Sequence, residues 1–236
     1  MNRRTLIKRI KRPLLCCALL VASARVSSLN ADTPKPIPAA EVDESVVASL
    51  LHQGIKKPKV VSHIDLTKPF STQSQWTYIA AQEDDPRSLD TYDGGRMYVC
   101  LVKATRPDCA ERFQQLDGGL PYHLFASRVV YAGQNQSNAL LLVKLCGQQG
   151  FDGDCGIVTT LYKYDLQADR FIRVFVNVTG RNNNQDTRFV EGGPLLGDII
   201  VDYPTERAPY TYWIEVYREG KSGQYVQILR SSGRTV

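Results

Sequence analysis

The chain has 236 residues, 43% of them hydrophobic, enough for one large or two small domains with a substantial core. Its net charge of +5 is carried by the N-terminus, where Arg3, Arg4, Lys8, Arg9, Lys11 and Arg12 occur with no acid; residues 25–236 hold 23 basic against 24 acidic residues. That balance excludes the basic footprint of a nucleic-acid or anionic-membrane binder.

Residues 1–24 read as an export signal. A basic run ends at Arg12, an apolar run covers Leu14 to Val21, and Ala22-Ser23-Ala24 offers a small-residue cleavage site. The apolar run is too short to span a bilayer, so no transmembrane span is expected after signal cleavage. Arg3-Arg4-Thr5-Leu6-Ile7-Lys8 loosely resembles a twin-arginine signal, with Asn2 where Ser or Thr is usual. The expected address is periplasmic or secreted, and the strongly basic leader points to a bacterial source.

Cys16 and Cys17 belong to the leader, which leaves Cys100, Cys109, Cys146 and Cys155. An even count in an exported chain suggests two disulfides. Three pairings are open, and the repeated C-x8-C spacing favours Cys100–Cys109 and Cys146–Cys155. Zinc knuckles want ligands two to four residues apart, so no metal is expected at these cysteines.

Residues 25–60 form a tether and a short helix. Pro34, Pro36 and Pro38 fix an extended segment. Val42, Val46, Ser49 and Leu50 then recur at helical spacing from Glu41 to His52, and Gly54 is a suitable stop. Residues 61–236 read as a single β-rich domain. Its strand expectations, the first beginning just upstream, are Lys59–Ile64, Gln75–Ala81, Arg96–Lys103, His123–Tyr131, Ala139–Leu145, Gly156–Tyr164, Arg170–Val178, Asp198–Tyr203, Thr211–Arg218 and Tyr225–Leu229. A short helix is expected after Pro107, through Cys109 to Leu116. In 170–178, Ile172, Val174, Val176 and Val178 alternate with Phe171, Arg173, Phe175 and Asn177, the pattern of a strand with one buried face.

The fold class is mainly β: an antiparallel meander or sandwich with a short N-terminal helix. A faint repeat aligns Val143 with Val201, Tyr164 with Tyr217 and Phe171 with Tyr225. A unit of this length resembles a propeller blade. The chain holds fewer such units than a closed propeller needs, which favours an open arrangement.

No pattern for catalysis stands out. Histidine is confined to His52, His63 and His123, and no H-E-x-x-H, G-x-S-x-G or P-loop occurs. Glu83-Asp84-Asp85, with Asp90 and Asp93 nearby, reads as a solvated acidic loop. Gly150-Phe151-Asp152-Gly153-Asp154 has part of a calcium loop but lacks its later acidic ligands, so no metal or other cofactor is expected. Asn135-Gln136-Ser137 and Asn177-Val178-Thr179 match glycosylation acceptors. Arg181 to Asp186 reads as a polar loop.

The candidate partner-binding residues are Tyr203, Glu206, Arg207, Tyr210, Tyr212 and Trp213. Tyr, Trp and Arg are the types enriched at binding hot spots, and Pro204 and Pro209 would stiffen the stretch. The expected function is therefore non-catalytic binding of a protein partner in the cell envelope, as an inhibitor, immunity factor or envelope-associated module. The rivals are a hydrolase of envelope polymer, with a site assembled from distant strands, and a structural accessory of a secretion or surface assembly.

Overall fold

The computed structural model describes residues 36–84, 95–105, 123–149, 155–180, 185–204 and 211–234. Its first element is helix α1, Ala39–His52, with Val42, Val46 and Leu50 as the buried stripe. The helix ends in a Schellman turn. Gly54 takes a left-handed φ of 82°, and the Gly54 and Ile55 amides donate to the carbonyls of Leu51 and Leu50 at 2.9 and 3.1 Å. Ile55 also packs into the cluster that holds Leu50, the hydrophobic contact that accompanies this turn.

Eleven strands follow among the described residues, all paired antiparallel with chain neighbours. Sheet 1 holds β1 (Lys59–Asp65), β2 (Trp76–Gln82) and β3 (Met97–Lys103), with a single helical turn α2 (Thr67–Phe70) between β1 and β2. Sheet 2 holds β4 (His123–Tyr131), β5 (Ala139–Gln149), β6 (Cys155–Asp165) and β7 (Arg170–Gly180). Sheet 3 holds β8 (Asp186–Phe189), β9 (Ile199–Pro204), β10 (Thr211–Glu219) and β11 (Tyr225–Arg234). The antiparallel meander with an N-terminal helix is the architecture the sequence suggests. Two short elements, α2 and β8, have no counterpart in that reading, and β8 begins at the last residue of the stretch read as a polar loop.

The elements stack in chain order, because the two faces of sheet 1, and likewise those of sheet 2, enter different cores. Val42, Val46 and Leu50 of α1 meet Ile79, Ala81, Cys100 and Val102 on one face of sheet 1. The other face of sheet 1 sends Trp76, Tyr78, Met97 and Leu101 against Leu141, Val143, Tyr162 and Phe171 of sheet 2. Sheet 2 then sends Leu140, Leu142, Leu161 and Phe175 against Phe189, Ile199, Val201 and Tyr225 of sheet 3. Inner strands buried on both faces read as nearly continuous apolar runs, as in ALLLV of β5.

The internal alignment acquires structural content here. Its members occupy matching strands, β5 with β9, β6 with β10 and β7 with β11. Val143, Tyr164 and Phe171 face the core with sheet 1, while Val201, Tyr217 and Tyr225 face the core with sheet 2. Each aligned residue thus points to the preceding layer.

The alternation read in β7 does not hold along its length. Register shifts between Leu161 and Tyr162, a bulge that flips the later part of the strand. Phe175 is buried, whereas Val176 and Val178 are 45% and 57% exposed. The apolar residue at each even position therefore changes face halfway along.

Asp169 ties sheet 1 to the β6–β7 turn. Its carboxylate accepts hydrogen bonds from Trp76 Nε1 at 2.9 Å, Ser74 Oγ at 2.6 Å and Tyr164 OH at 2.6 Å, and it pairs with the Lys103 ammonium. Its φ of 43° is left-handed, a conformation Asp tolerates better than most residues. No helix among the described residues is long and apolar enough to cross a membrane.

Candidate functional site

Cross-strand register assembles the site on sheet 3. Trp213 of β10 pairs with Tyr203 of β9, and Glu215 pairs with Arg230 of β11. Side chains two apart on a strand share a face, so Tyr203, Trp213, Glu215, Tyr217 and Arg230 stand together on the face toward sheet 2. Tyr203 and Tyr217 pack at the edge of the core between the two sheets, and the Phe175 ring meets Tyr217 edge-on at 5.3 Å.

Glu215 is the centre of the group, with its side chain only 12% exposed. Its Oε1 accepts from Tyr203 OH at 2.8 Å and lies 3.4 Å from Arg230 Nε. Its Oε2 accepts from Tyr217 OH at 2.7 Å. Arg230 also donates to Tyr203 OH at 3.0 Å and lays its guanidinium 4.7 Å from the centre of the Trp213 ring. Stacking of this kind contributes about 0.5–1 kcal/mol at exposed sites.

Electrostatics keep the tyrosines as donors. Burial, then the hydrogen bond to Glu215, pushes the Tyr217 phenol up to about 12. The same two causes raise Tyr203. Both hydroxyls are protonated at neutral pH and are spent on one carboxylate. Glu215 in turn has donors at both oxygens, which suits a fixed counter-ion better than an acid or base that must exchange protons with a substrate. What the cluster presents outward is a cation on an aromatic plate: the Arg230 side chain is 54% exposed over a half-buried Trp213.

Of the sequence-predicted residues, the structure brings Tyr203 and Trp213 together. Tyr212 lies on the opposite face, beside Ile214, because neighbours on a strand alternate. Glu206, Arg207 and Tyr210 lie outside the described residues. Glu215, Tyr217 and Arg230 are not among the candidates the sequence offers for the site, although Tyr217 belongs to the internal alignment. The alternation Trp213, Glu215, Tyr217 was the available signal for the first two, whereas Arg230 joins them only through the register of β11.

The remaining candidate chemistries take ordinary positions. His63 Nδ1 meets Asp43 Oδ1 at 2.7 Å and joins β1 to α1. His123 is exposed beside Phe125. Glu83, read as part of a solvated acidic loop, is instead buried and accepts the Lys56 amide at 3.0 Å. Asp85, Asp90 and Asp93 lie outside the described residues, as do Gly150 to Asp154 and the helix expected through Cys109. Asn177 is half-buried and donates to Thr187 Oγ1 at 3.0 Å, so it is poorly placed as a glycosylation acceptor. Among the described residues no group of three or more His, Cys, Asp or Glu side chains could hold a metal ion.

Cys100 and Cys146 are buried, on sheets 1 and 2 respectively, and both are held as disulfide sulfurs. Cys109 and the side chain of Cys155 lie outside the described residues, so the pairing remains a proposal. No family model, no curated protein and no solved structure matches this chain.

Proposed function

We propose that this is an exported, non-catalytic binding protein of the bacterial envelope, acting as an inhibitor, immunity factor or envelope-associated binding module. Its partner is a protein that seats on the end of sheet 3 where β9 finishes and β10 starts, around Tyr203, Trp213 and Arg230, together with the connection that carries Glu206, Arg207 and Tyr210. The observation that carries this reading is the Arg230–Trp213 stack held by Glu215. Arginine and tryptophan fixed before binding lose little conformational freedom on association. The outward edge of the guanidinium can make a forked bond to a carboxylate of the partner. The basic leader and the even cysteine count support the exported address.

The test is affinity capture of the exported protein with its co-purifying partner, repeated with Arg230→Ala, Arg207→Ala and Tyr210→Ala. Melting temperature separates folding from binding. At least one substitution should weaken capture by about 1 kcal/mol or more with the melting temperature nearly unchanged. Unchanged affinity in all three would sink the reading.

A further inference from the structure

A concavity lies at the other end of the strands. Tyr203 and Trp213 stand where β9 ends and β10 begins, whereas Lys163 of β6 pairs with Glu219 at the end of β10. Beside Lys163 opens a depression of about 380 Å³, lined among others by Phe70, Ser71, Gln136, Asn138 and Tyr164. Its volume falls in the range of small-molecule sites, about 300–1,000 Å³.

The walls divide by chemistry. Phe70 and Tyr164 form an aromatic side, each braced on Phe171 with ring centres 5.0 and 5.3 Å away. The Tyr164 hydroxyl donates to Asp169 at 2.6 Å and accepts the Gln73 amide at 3.0 Å, which fixes the ring. Lys163 brings no net charge, because Glu219 neutralises it. The same depression is lined by the exposed residues Ser71, Gln136 and Asn138, whose side chains are hydrogen-bonded to no other described residue. Their backbones have φ of 49°, 56° and 55°. Left-handed conformations are uncommon outside glycine, and strained residues gather at functional sites.

From this geometry we propose that the depression binds a neutral saccharide. Apolar C–H faces of a sugar ring suit the aromatic side. Hydroxyls, which donate and accept, suit amides and a serine that do the same. The neutralised lysine offers no advantage to an anion. This site is independent of the protein-binding surface, and either can fail without the other.

The test is amide-shift titration of the full folded chain with cellobiose, maltose and chitobiose, and with glucose against glucose 6-phosphate. At least one neutral disaccharide should move the signals of Ser71, Gln136, Asn138 and Leu166 as a group, and phosphate should add no affinity. Gln136→Gly with Asn138→Gly removes both amides and accepts the left-handed backbone, so the fold should persist while affinity falls about tenfold or more. Leu166→Arg, at an exposed lining position, is the second variant and should also lower affinity. The proposal is overturned if no disaccharide shifts these signals at about 10 mM, a level at which even a millimolar site is mostly filled. It is equally overturned if glucose 6-phosphate binds much more tightly than glucose, or if both variants bind as the parent does.

Discussion

Asp169 shows how much of the fold hangs on one side chain. Burial alone would raise its carboxyl, but the bonds from Lys103, Ser74, Tyr164 and Trp76 together hold it well below the usual carboxylate range. The side chain is 16% exposed. Asp169→Asn keeps the shape and tolerates the left-handed φ, yet leaves the Lys103 ammonium without its counter-charge. It should destabilise the fold by about 2–4 kcal/mol, the order found when a shielded charged pair loses one member. The pH dependence follows from the direction of the shift. A depressed folded-state carboxyl contributes its full stability above the unfolded value near 3.9, and that contribution is lost as pH falls through the folded value. Urea unfolding of the parent and the variant should therefore differ by a constant amount above about pH 5 and converge only in strong acid. A difference already shrinking between pH 7 and pH 5 would remove the ionised carboxylate from this explanation. Asp169 and Arg230 leave no mark in the sequence, because Trp76 and Lys103 lie far along the chain from the one and Trp213 and Glu215 on a different strand from the other, and only folding brings them near.

At the scale of elements, the β8–β9 turn is fixed against sheet 2 by backbone. Gly197 takes a φ of 87°, and a Cβ there would stand 2.6 Å from the Ala132 carbonyl oxygen. The Gly197 amide bonds Val190 at 2.9 Å, and its carbonyl accepts Tyr225 OH at 2.8 Å, so the turn has no room to shift. Next to it, Asp198 is 2% exposed and takes a forked bond from Arg218 at 2.8 and 2.6 Å. Gly197→Ala should destabilise by about 1–3 kcal/mol, combining an unfavourable φ with a clash against main chain. In thermal unfolding a domain of this size loses about 2–4 °C per kcal/mol. Gly192→Ala is the control, since its φ of −170° is extended and nothing lies within 4 Å of the added Cβ. Equal melting temperatures for the two variants would mean the turn can move after all. Strand positions were legible because apolar runs and turn residues alternate regularly, and α1 was legible from its stripe and its glycine stop. The bulge in β7 was not, because a one-residue register shift leaves no mark on a run of alternating Phe, Val and Ile. The four-residue β8 was hidden by the polar residues before it.

At the scale of the whole molecule, layers follow one another in chain order and each sheet closes on the next. This is why the aligned residues of the internal repeat all face the preceding layer, and why a weak repeat in the sequence pointed to a real correspondence between sheets 2 and 3. The site was half legible by the same logic: composition marked Tyr203 and Trp213, while pairing across three strands was needed to add the rest. Cysteine pairing belongs to this scale too, because Cys100 and Cys146 sit on different sheets. Sheet 1 buries Cys100 against α1, and Cys146 lies opposite His123 and Ile157 near the end of its hairpin. A bond from each to its near neighbour in sequence would tie a sheet to its own connection without joining layers. We expect Cys100–Cys109 and Cys146–Cys155 in the protein recovered outside the cytoplasm, with its first residue between Arg25 and Asp32. Each bridge closes a short loop and should stabilise by about 2–3 kcal/mol on the chain-entropy estimate. Intact mass of the exported species checks the leader, and retention of residues 1–24 would refute it. Peptide mapping without reductant checks the bonds, and a Cys100–Cys146 linkage would refute the local pairing. Loss of each bridge in turn, by paired Cys→Ser substitution, should lower the urea midpoint separately for each pair. If both bridges staple their own layers, the two losses should add, since sites with no shared partner add to within about 0.5 kcal/mol. A double loss well beyond the sum would mean that the bridges brace one another through the stack.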